Sequence, residues 1–260
     1  MARSFEDKRS AHQKIAATLR RQITRGDLAP GTQLPSTPVL MEQYGVAGTT
    51  VQKALLMLKD EDLLIGHAGK GVFVKGGTQQ SISPAVYMPP AASGEPYRWI
   101  SEAEKRAQRG SVQLLDVAVV QPPHEVALAL GLEDGGRALL RKQVLFLDDE
   151  PTELTRSYYP LEIAEGTAMM ERRKIRGGTP TLLKGLGYPP RSFVDEVSSE
   201  IPTEEEVVAL ELPKDMPVML TFRVVRSDSE RTIEVSLLTK AAHRYRMRYA
   251  LTVTEHEFDA

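Results

Sequence analysis

The chain has 260 residues, 41% of them hydrophobic, which allows ordinary packed cores and suggests two domains; its 0 cysteines exclude disulfides and thiolate metal sites. No apolar run approaches the roughly 20 residues that cross a bilayer, and the first residues, MARSFEDKRS, lack the apolar stretch of a signal peptide, so a cytoplasmic protein without membrane contact is expected. The net charge of −2 conceals an asymmetry: residues 1–75 carry an excess of Lys and Arg, the remainder an excess of Asp and Glu, which fits a nucleic-acid contact confined to the first part.

Residues 10–25 read as a helix, with Ile15, Leu19 and Ile23 on one face and Gly26 as a natural stop. After the turn-forming run Gly26–Gly31, Ser36 is a plausible N-cap of a second helix carrying Val39, Leu40 and Tyr44. Gly45-Val46 makes a tight turn. Thr49 opens a third helix, where Val51, Leu55 and Leu58 form an apolar stripe that Ala54 and Leu56 widen. Two short apolar runs, Leu63–Ile65 and Val72–Val74, flank His67-Ala68-Gly69-Lys70-Gly71, a glycine-bracketed turn with a cation at its tip. A helix-turn-helix followed by a basic β-wing is a DNA-reading device, its second helix entering the major groove. The candidate DNA contacts are Ser36 and Thr37, then Thr49, Thr50, Gln52 and Lys53, and in the wing His67, Gly69, Lys70 and Gly71. A helical hairpin that merely packs against a β-hairpin would share this outline, but the polar start of the third helix favours a groove-facing surface.

The run Ile15…Leu19…Ile23…Gly26-Asp27-Leu28…Pro30-Gly31…Leu34-Pro35-Ser36…Tyr44-Gly45-Val46…Thr49-Thr50-Val51…Ala54-Leu55…Leu58…Leu63…Gly69-Lys70-Gly71…Phe73-Val74 resembles the winged helix-turn-helix of GntR-family bacterial transcription factors. Three arginines habitual in that family are absent: Thr37 and Pro38 follow Pro35-Ser36, and the third helix opens with Ala47-Gly48-Thr49-Thr50-Val51-Gln52. Arginine is the common bidentate partner of guanine, whereas glutamine suits adenine. An operator unlike the family's usual one is therefore expected, with weaker, phosphate-dominated binding as the competing reading.

Residues 76–96 are rich in Gly, Pro, Ser and Gln and read as a linker unable to bury a core, which places domains at 1–76 and 98–260 with 77–97 between them. Helices are then predicted near 99–109 and 124–130, strands near 112–120 and 138–147, and a turn at Asp148–Pro151 leads to a strand near 152–159. Short helices within 161–173 and 180–186 and a strand near 194–201 follow. Thr203-Glu204-Glu205-Glu206 is a capping box opening a helix, and strands near 218–226, 232–240 and 244–254 close the chain. Hairpins with helices on one side indicate an α+β domain with a mostly antiparallel sheet. An offset of 80 residues aligns Glu125 with Glu205, Leu130 with Leu210, Val144 with Val224, Asp148 with Asp228 and Thr152 with Thr232. Each copy is helix, strand, turn, strand, and two such units are expected to pack as a pseudo-twofold pair with a cleft between them.

This half resembles the UTRA effector-binding domain typical of the HutC subfamily, through Leu139-Leu140-Arg141, Asp149-Glu150-Pro151, Ser157-Tyr158-Tyr159-Pro160, Gly177-Gly178, Pro202-Thr203…Glu206, Arg223 and Ile233-Glu234-Val235. The resemblance implies a chorismate-lyase-like fold, a small-molecule pocket and a homodimer. Gly177-Gly178-Thr179-Pro180 is the best local effector site, with Thr179 as a plausible N-cap and Pro180 as a first helical residue: a helix N-terminus approached by glycines can receive an anion. Arg141 and Arg223 stand nearest the family's arginine positions, and Glu234 and Tyr245 where it often offers hydrogen-bond partners. Ser157 and Tyr158 could do the same. Gln143 stands where sugar-phosphate sensors carry the second of two arginines, which implies a carboxylate or other singly charged ligand.

The five histidines, His12, His67, His124, His243 and His256, are scattered, and the sequence has no nucleophile elbow or Gly-rich phosphate loop, so no catalytic residue, metal or cofactor is assigned. The expectation is a homodimeric repressor that binds a pseudo-palindromic double-stranded DNA operator and is released by a small anionic effector. The competing reading is a small-molecule enzyme on a lyase-like domain with a vestigial DNA-binding head.

Overall fold

The computed structural model describes residues 7–75, 80–213 and 216–250. Residues 1–6 and 76–79, His256 and the predicted end of the last strand lie outside the described residues. Contacts group the chain into two compact units, the first built mainly on residues up to 79, the second mainly on residues from 80 onward.

In the first unit, α1 spans Ala11–Arg25 and buries Ile15, Ala16 and Leu19. It stops at Gly26, whose φ of 85° is a left-handed conformation that glycine adopts without strain. Helix α2 spans Thr37–Tyr44 with Ser36 at its N-cap position, and α3 spans Gly48–Asp60 with Val51, Ala54, Leu55 and Leu58 buried. Strands β1 (Leu64–His67) and β2 (Gly71–Val74) form the antiparallel wing, with Leu64 opposite Val74 and His67 opposite Gly71. The apolar stripes of all three helices meet Leu34, Leu64 and Val74 in one core. Arg20 on α1 holds Glu61, at the end of α3, through both guanidinium edges, with Nε 2.6 Å from Oε2. Two expected core positions are surface: Val39 is 50% and Leu56 57% exposed.

The second unit is a six-stranded antiparallel sheet of β4 (Gly110–Val120), β5 (Ala138–Leu147), β6 (Glu150–Pro160), β7 (Ser192–Glu200), β8 (Val218–Arg226) and β9 (Thr232–Ala241). Its spatial order is β4-β5-β6-β9-β8-β7. The two halves of the sequence repeat are thus mirrored about the β6–β9 pair, where Arg156 faces Leu237 and Ser157 faces Ser236. The β5–β6 turn places Asp148 and Asp149 at φ 51° and 67°, the paired left-handed values of a two-residue hairpin turn.

Helices cover both sides of this sheet, which corrects the expectation of helices on one side. On one face α6 (His124–Leu130) packs Val126 against Ala138, Tyr158 and Val235. On the same face α9 (Glu204–Ala209) is held by Arg156, whose guanidinium reaches both Glu205 and Glu206. On the other face lie α4 (Pro84–Tyr87), α5 (Arg98–Glu104), α7 (Leu161–Ala164) and α8 (Gly178–Gly185), which pack Tyr87, Trp99, Ile163 and Leu183 against Leu139, Tyr159 and Ile233.

The composition of residues 77–97 misled. Strand β3 (Gln80–Ile82) pairs in parallel with β10 (Tyr245–Met247), and Tyr87 and Met88 are buried in the main core. Prolines and serines dominate the segment by count, but it carries two large apolar side chains, Tyr87 and Met88, that enter the core.

Candidate nucleic-acid interface and effector cavity

In the first unit the sequence builds a continuous polar face. Thr49, Gln52 and Lys53 are exposed on α3, one helical turn apart, while Val51, Ala54 and Leu55 between them point into the core. Leu56, the next position along this face, is exposed as well. An apolar side chain there can meet a thymine methyl group, whereas its place beside the apolar stripe predicts a core position. Thr50 is half-buried. Ser36 is exposed at the start of α2 and makes no capping hydrogen bond, so its hydroxyl remains available to a phosphate, with Thr37 half-buried beside it. In the wing, Gln33 Nε2 donates to the Lys70 carbonyl at 2.7 Å, and a Cβ on Gly71 would come within 2.9 Å of that nitrogen. Gly71 at φ 109° and Gly69 at φ 73° thus let the tip close on Gln33. His67 packs its ring edge-on against Phe73, and Lys70 is exposed and enters no ion pair among the described residues.

Base-edge and phosphate contacts respond differently to substitution. Gln52→Ala is expected to cost about 1–3 kcal/mol at one base position and relax preference there. Lys70→Ala is expected to weaken all sequences alike and flatten the salt dependence. Fluorescence anisotropy on a set of single-base operator variants, at several salt concentrations, measures both.

In the second unit a cavity of about 250 Å³ opens between the sheet and the loop before α8. Its walls include Tyr97 and Ile100, Val112 and Leu114 of β4, Arg141 and Gln143 of β5, and the segment Lys174–Thr179. Gly177, Gly178 and Thr179 are therefore gathered at the cavity with Arg141. Gly177 holds the N-cap position of α8, not Thr179, and both glycines have positive φ, 76° and 80°. The Thr179 hydroxyl instead accepts from the Tyr159 hydroxyl at 3.1 Å. Gly178 also admits a close neighbour: a Cβ there would lie 2.5 Å from Cδ2 of Tyr97.

Arg141 is 4% exposed, and its guanidinium donates to the carbonyls of Met169, Glu171 (3.0 Å) and Arg173 (2.7 Å), so it mainly shapes the loop that bounds the cavity. Burial pushes its pKa down. Arg223 is not at the cavity. Its Nε and Nη2 donate to Asp195 at 2.6 and 2.7 Å, Nη1 reaches Tyr87 and Met88, and the guanidinium lies 4.8 Å over the Phe193 ring. Burial disfavours its charge, but Tyr87 and Asp195 outweigh that and raise its pKa. Under the 80-residue repeat Arg223 corresponds to Gln143, so the place matching the cavity in the second half is filled by Tyr87, Met88 and the Arg223–Asp195 pair. The cavity lies on the first half alone, which corrects the expected cleft between the halves.

Four further candidate residues, Tyr158, Tyr245, Ser157 and Glu234, do not line this cavity. Tyr158 points to the opposite face, against Val126 and Val235, and its neighbour Tyr159 is the one that reaches Thr179. Tyr245 is buried in the core, its hydroxyl 3.2 Å from Thr152 Oγ1. Ser157 and Glu234 belong to a buried cluster in which Ser236 and Ser157 hydroxyls lie 2.6 and 3.2 Å from Glu234 Oε1. Burial raises the Glu234 pKa despite these hydrogen bonds. A carboxyl whose folded pKa is raised loses stability as pH climbs from the ordinary glutamate range through the folded value. Glu234→Gln keeps the acceptor and removes the charge. It is expected to raise Tm by a few degrees at pH 8, roughly 2–4 °C per kcal/mol, and to do little at pH 4. Thermal unfolding at the two pH values checks this.

The basic run Arg172-Arg173-Lys174…Arg176 immediately before the glycines is not among the expected site residues. Lys174 and Arg176 line the cavity, and Arg176 donates to the Gly94 carbonyl at 3.2 Å. Four cations within five residues beside a Gly-Gly pair were visible in the sequence as a positively charged rim.

The profile of the bacterial regulatory proteins of the gntR family matches residues 11–74, and that of the UTRA domain matches residues 105–246. The chain belongs to the GntR family, with a UTRA domain as its larger part. An HTH-type transcriptional regulator of Streptomyces coelicolor is 27% identical over 93% of this chain and 93% of its own length. The HTH-type transcriptional repressor NagR of Bacillus subtilis is 24% identical over 89% of this chain and 90% of its own. The crystal structure of a GntR-family regulator superposes with a TM-score of 0.62 at 25% identity, covering 95% of this chain and 99% of the other. PhnF of Mycobacterium smegmatis shares the fold, with a TM-score of 0.57 at 18% identity over 92% of this chain and 100% of its own. This GntR-family member is a ligand-responsive, DNA-binding transcriptional regulator, and none of its described helices is long and apolar enough to cross a membrane.

Proposed function

We propose that this regulator is a cytoplasmic, homodimeric repressor with no enzymatic activity, released from a pseudo-palindromic operator when a small anionic molecule enters the cavity of its UTRA domain. The observation that carries this reading is the way the cavity loop holds the chain that follows the wing. The Ala91 amide donates to Thr181 Oγ1 at 2.9 Å, Arg176 binds the Gly94 carbonyl, and the Tyr97 ring lies against Gly178. A ligand that moves this loop therefore pulls on the segment that leads back to the DNA-binding head. Such coupling between two sites typically amounts to about 1–3 kcal/mol.

Domain limits of 1–76 and 98–260 remain our division for function, with 77–97 as the connecting strap. An edge strand supports dimerisation through the larger domain: β7 ends the sheet with Val194 48% and Val197 47% exposed, and Ile201 beyond it 92% exposed. Open apolar edges need covering. Two symmetric heads then read half-sites about one helical turn, or a multiple of it, apart. Sedimentation of residues 80–260 is expected to give a dimer at tens of micromolar, a concentration chosen on the ordinary affinity scale. A monomer there, with the full chain dimeric, would move the interface elsewhere.

A further inference from the structure

The cavity's walls are carbon on most sides. Tyr97 and Ile100 face it from the strap and α5, Val112 and Leu114 from β4, and Ile175 from the loop. Its polar equipment is sparse. Among the first three residues of α8, the Gly178 amide is already donated to the Ile175 carbonyl, and Pro180 has no amide proton. Arg141 is committed to three carbonyls, and Arg223 is locked on Asp195 elsewhere in the sheet. Gln143 is half-buried and its side chain enters no hydrogen bond among the described residues, so its side-chain amide is an uncommitted donor and acceptor in the wall. Lys174 and Arg176 add positive charge.

A sugar would place hydroxyl groups against those apolar side chains, where they lose their hydrogen bonds to water and gain none. A phosphate dianion needs several convergent donors, and the Arg141 guanidinium and the Gly178 amide, the two held most firmly in the wall, are already spent. Volume sets the size: an apolar protein cavity of about 150 Å³ accepts benzene, and this one measures about 250 Å³. From these walls, this volume and this donor set we infer that the cavity takes a small monocarboxylic acid with a compact, ring-sized apolar body. The body lies against Ile100, Val112, Leu114 and Ile175. The carboxylate is received by Gln143 and the Thr179 amide, within the field of Lys174 and Arg176. This rests on the reading of the cavity as the effector site.

The test titrates the full chain by calorimetry with three probes, 3-phenylpropanoate, its neutral amide and glucose 6-phosphate, and follows operator DNA by anisotropy in parallel. Phenylpropanoate is expected to bind at least about tenfold more tightly than either other probe, one decade on the affinity scale. Leu114→Asn, which puts an amide on the apolar wall, is expected to weaken it about tenfold or more with Tm little changed. Gln143→Leu, which keeps the wall's bulk, is expected to reduce the preference for the acid over the amide, and it stands in if Leu114→Asn does not fold. No saturable binding of phenylpropanoate up to about 10 mM, or undiminished binding in both variants, overturns the inference. Glucose 6-phosphate binding best and releasing DNA overturns it too, while leaving the regulator reading standing. Phenylpropanoate bound as expected, with DNA affinity unchanged, supports the inference and sinks that reading instead.

Discussion

Replacing Asp195 by Ala is expected to cost about 3–5 kcal/mol of stability, the usual cost of leaving a buried charge without its partner. The Asp195 and Arg223 side chains are each 3% exposed and share two hydrogen bonds. Tyr87 and Phe193 close over the guanidinium, 5.6 and 4.8 Å from its carbon, so the arginine left behind stays largely desolvated, while the Tyr249 hydroxyl, 2.8 Å from Asp195 Oδ2, loses its acceptor too. The cost belongs to the stranded arginine and not to the pair as such. Asp195→Ala combined with Arg223→Met is therefore expected to recover most of the loss, because an apolar side chain of similar length can fill the same space. Urea unfolding of the single and double variants measures both. A single variant within 1 kcal/mol of the parent, on the scale of an ordinary surface change, would show that the pair is not desolvated. Because this pair also anchors Tyr87 and Met88, the single variant should loosen the strap before it loosens the sheet.

Gly178→Val is expected to abolish the ligand response, by about a hundredfold or more in affinity, roughly 2.7 kcal/mol, while operator affinity stays within a few-fold. Two effects coincide at this position. A φ of 80° strains any L side chain, and the new Cβ would meet the Tyr97 ring at 2.5 Å. Either the ring swings out of the cavity wall or the glycine loop shifts, and both destroy the same site. Gly185→Ala is the control: a Cβ there meets nothing within 4 Å. The outcome in cells should be a regulator that cannot be released, read as a reporter silent under every growth condition that switches on the parent. A reporter still inducible in Gly178→Val would place the ligand elsewhere.

Much of this architecture was legible in the chain. The recurrence of Ile15 and Leu19, and of Val51, Leu55 and Leu58, located two helices, and α6 and β5 fell where their periods placed them. Corresponding turns at Asp148 and Asp228 anticipated two halves that the sheet sets about its central pair. What failed has physical causes. Tyr158 and Tyr159 are both aromatic, so alternation cannot say which faces the cavity. Inward arginines do need partners, but that of Arg223 is Asp195, on the neighbouring strand, and no local spacing relates them. Val39 and Leu56 show that an apolar residue beside a stripe is not thereby in the core. Residues 80–97 were judged by composition, whereas their docking rests on the buried Tyr87 and Met88 and on single long-range contacts such as Ala91 to Thr181, which no local pattern announces.

The central claim is that the polar face of α3 and the wing read sequence, and the missing arginines make this the point to test. The decisive measurement is anisotropy of the full chain on its own upstream DNA and on a shuffled copy, at about 0.15 M salt, where specific and non-specific binding typically differ by about 10³-fold or more. The expected result is a preference of that order for the upstream sequence, with Gln52→Ala reducing the preference and Lys70→Ala lowering affinity for both DNAs together. Equal affinity for the two DNAs, falling in parallel with added salt, would contradict it.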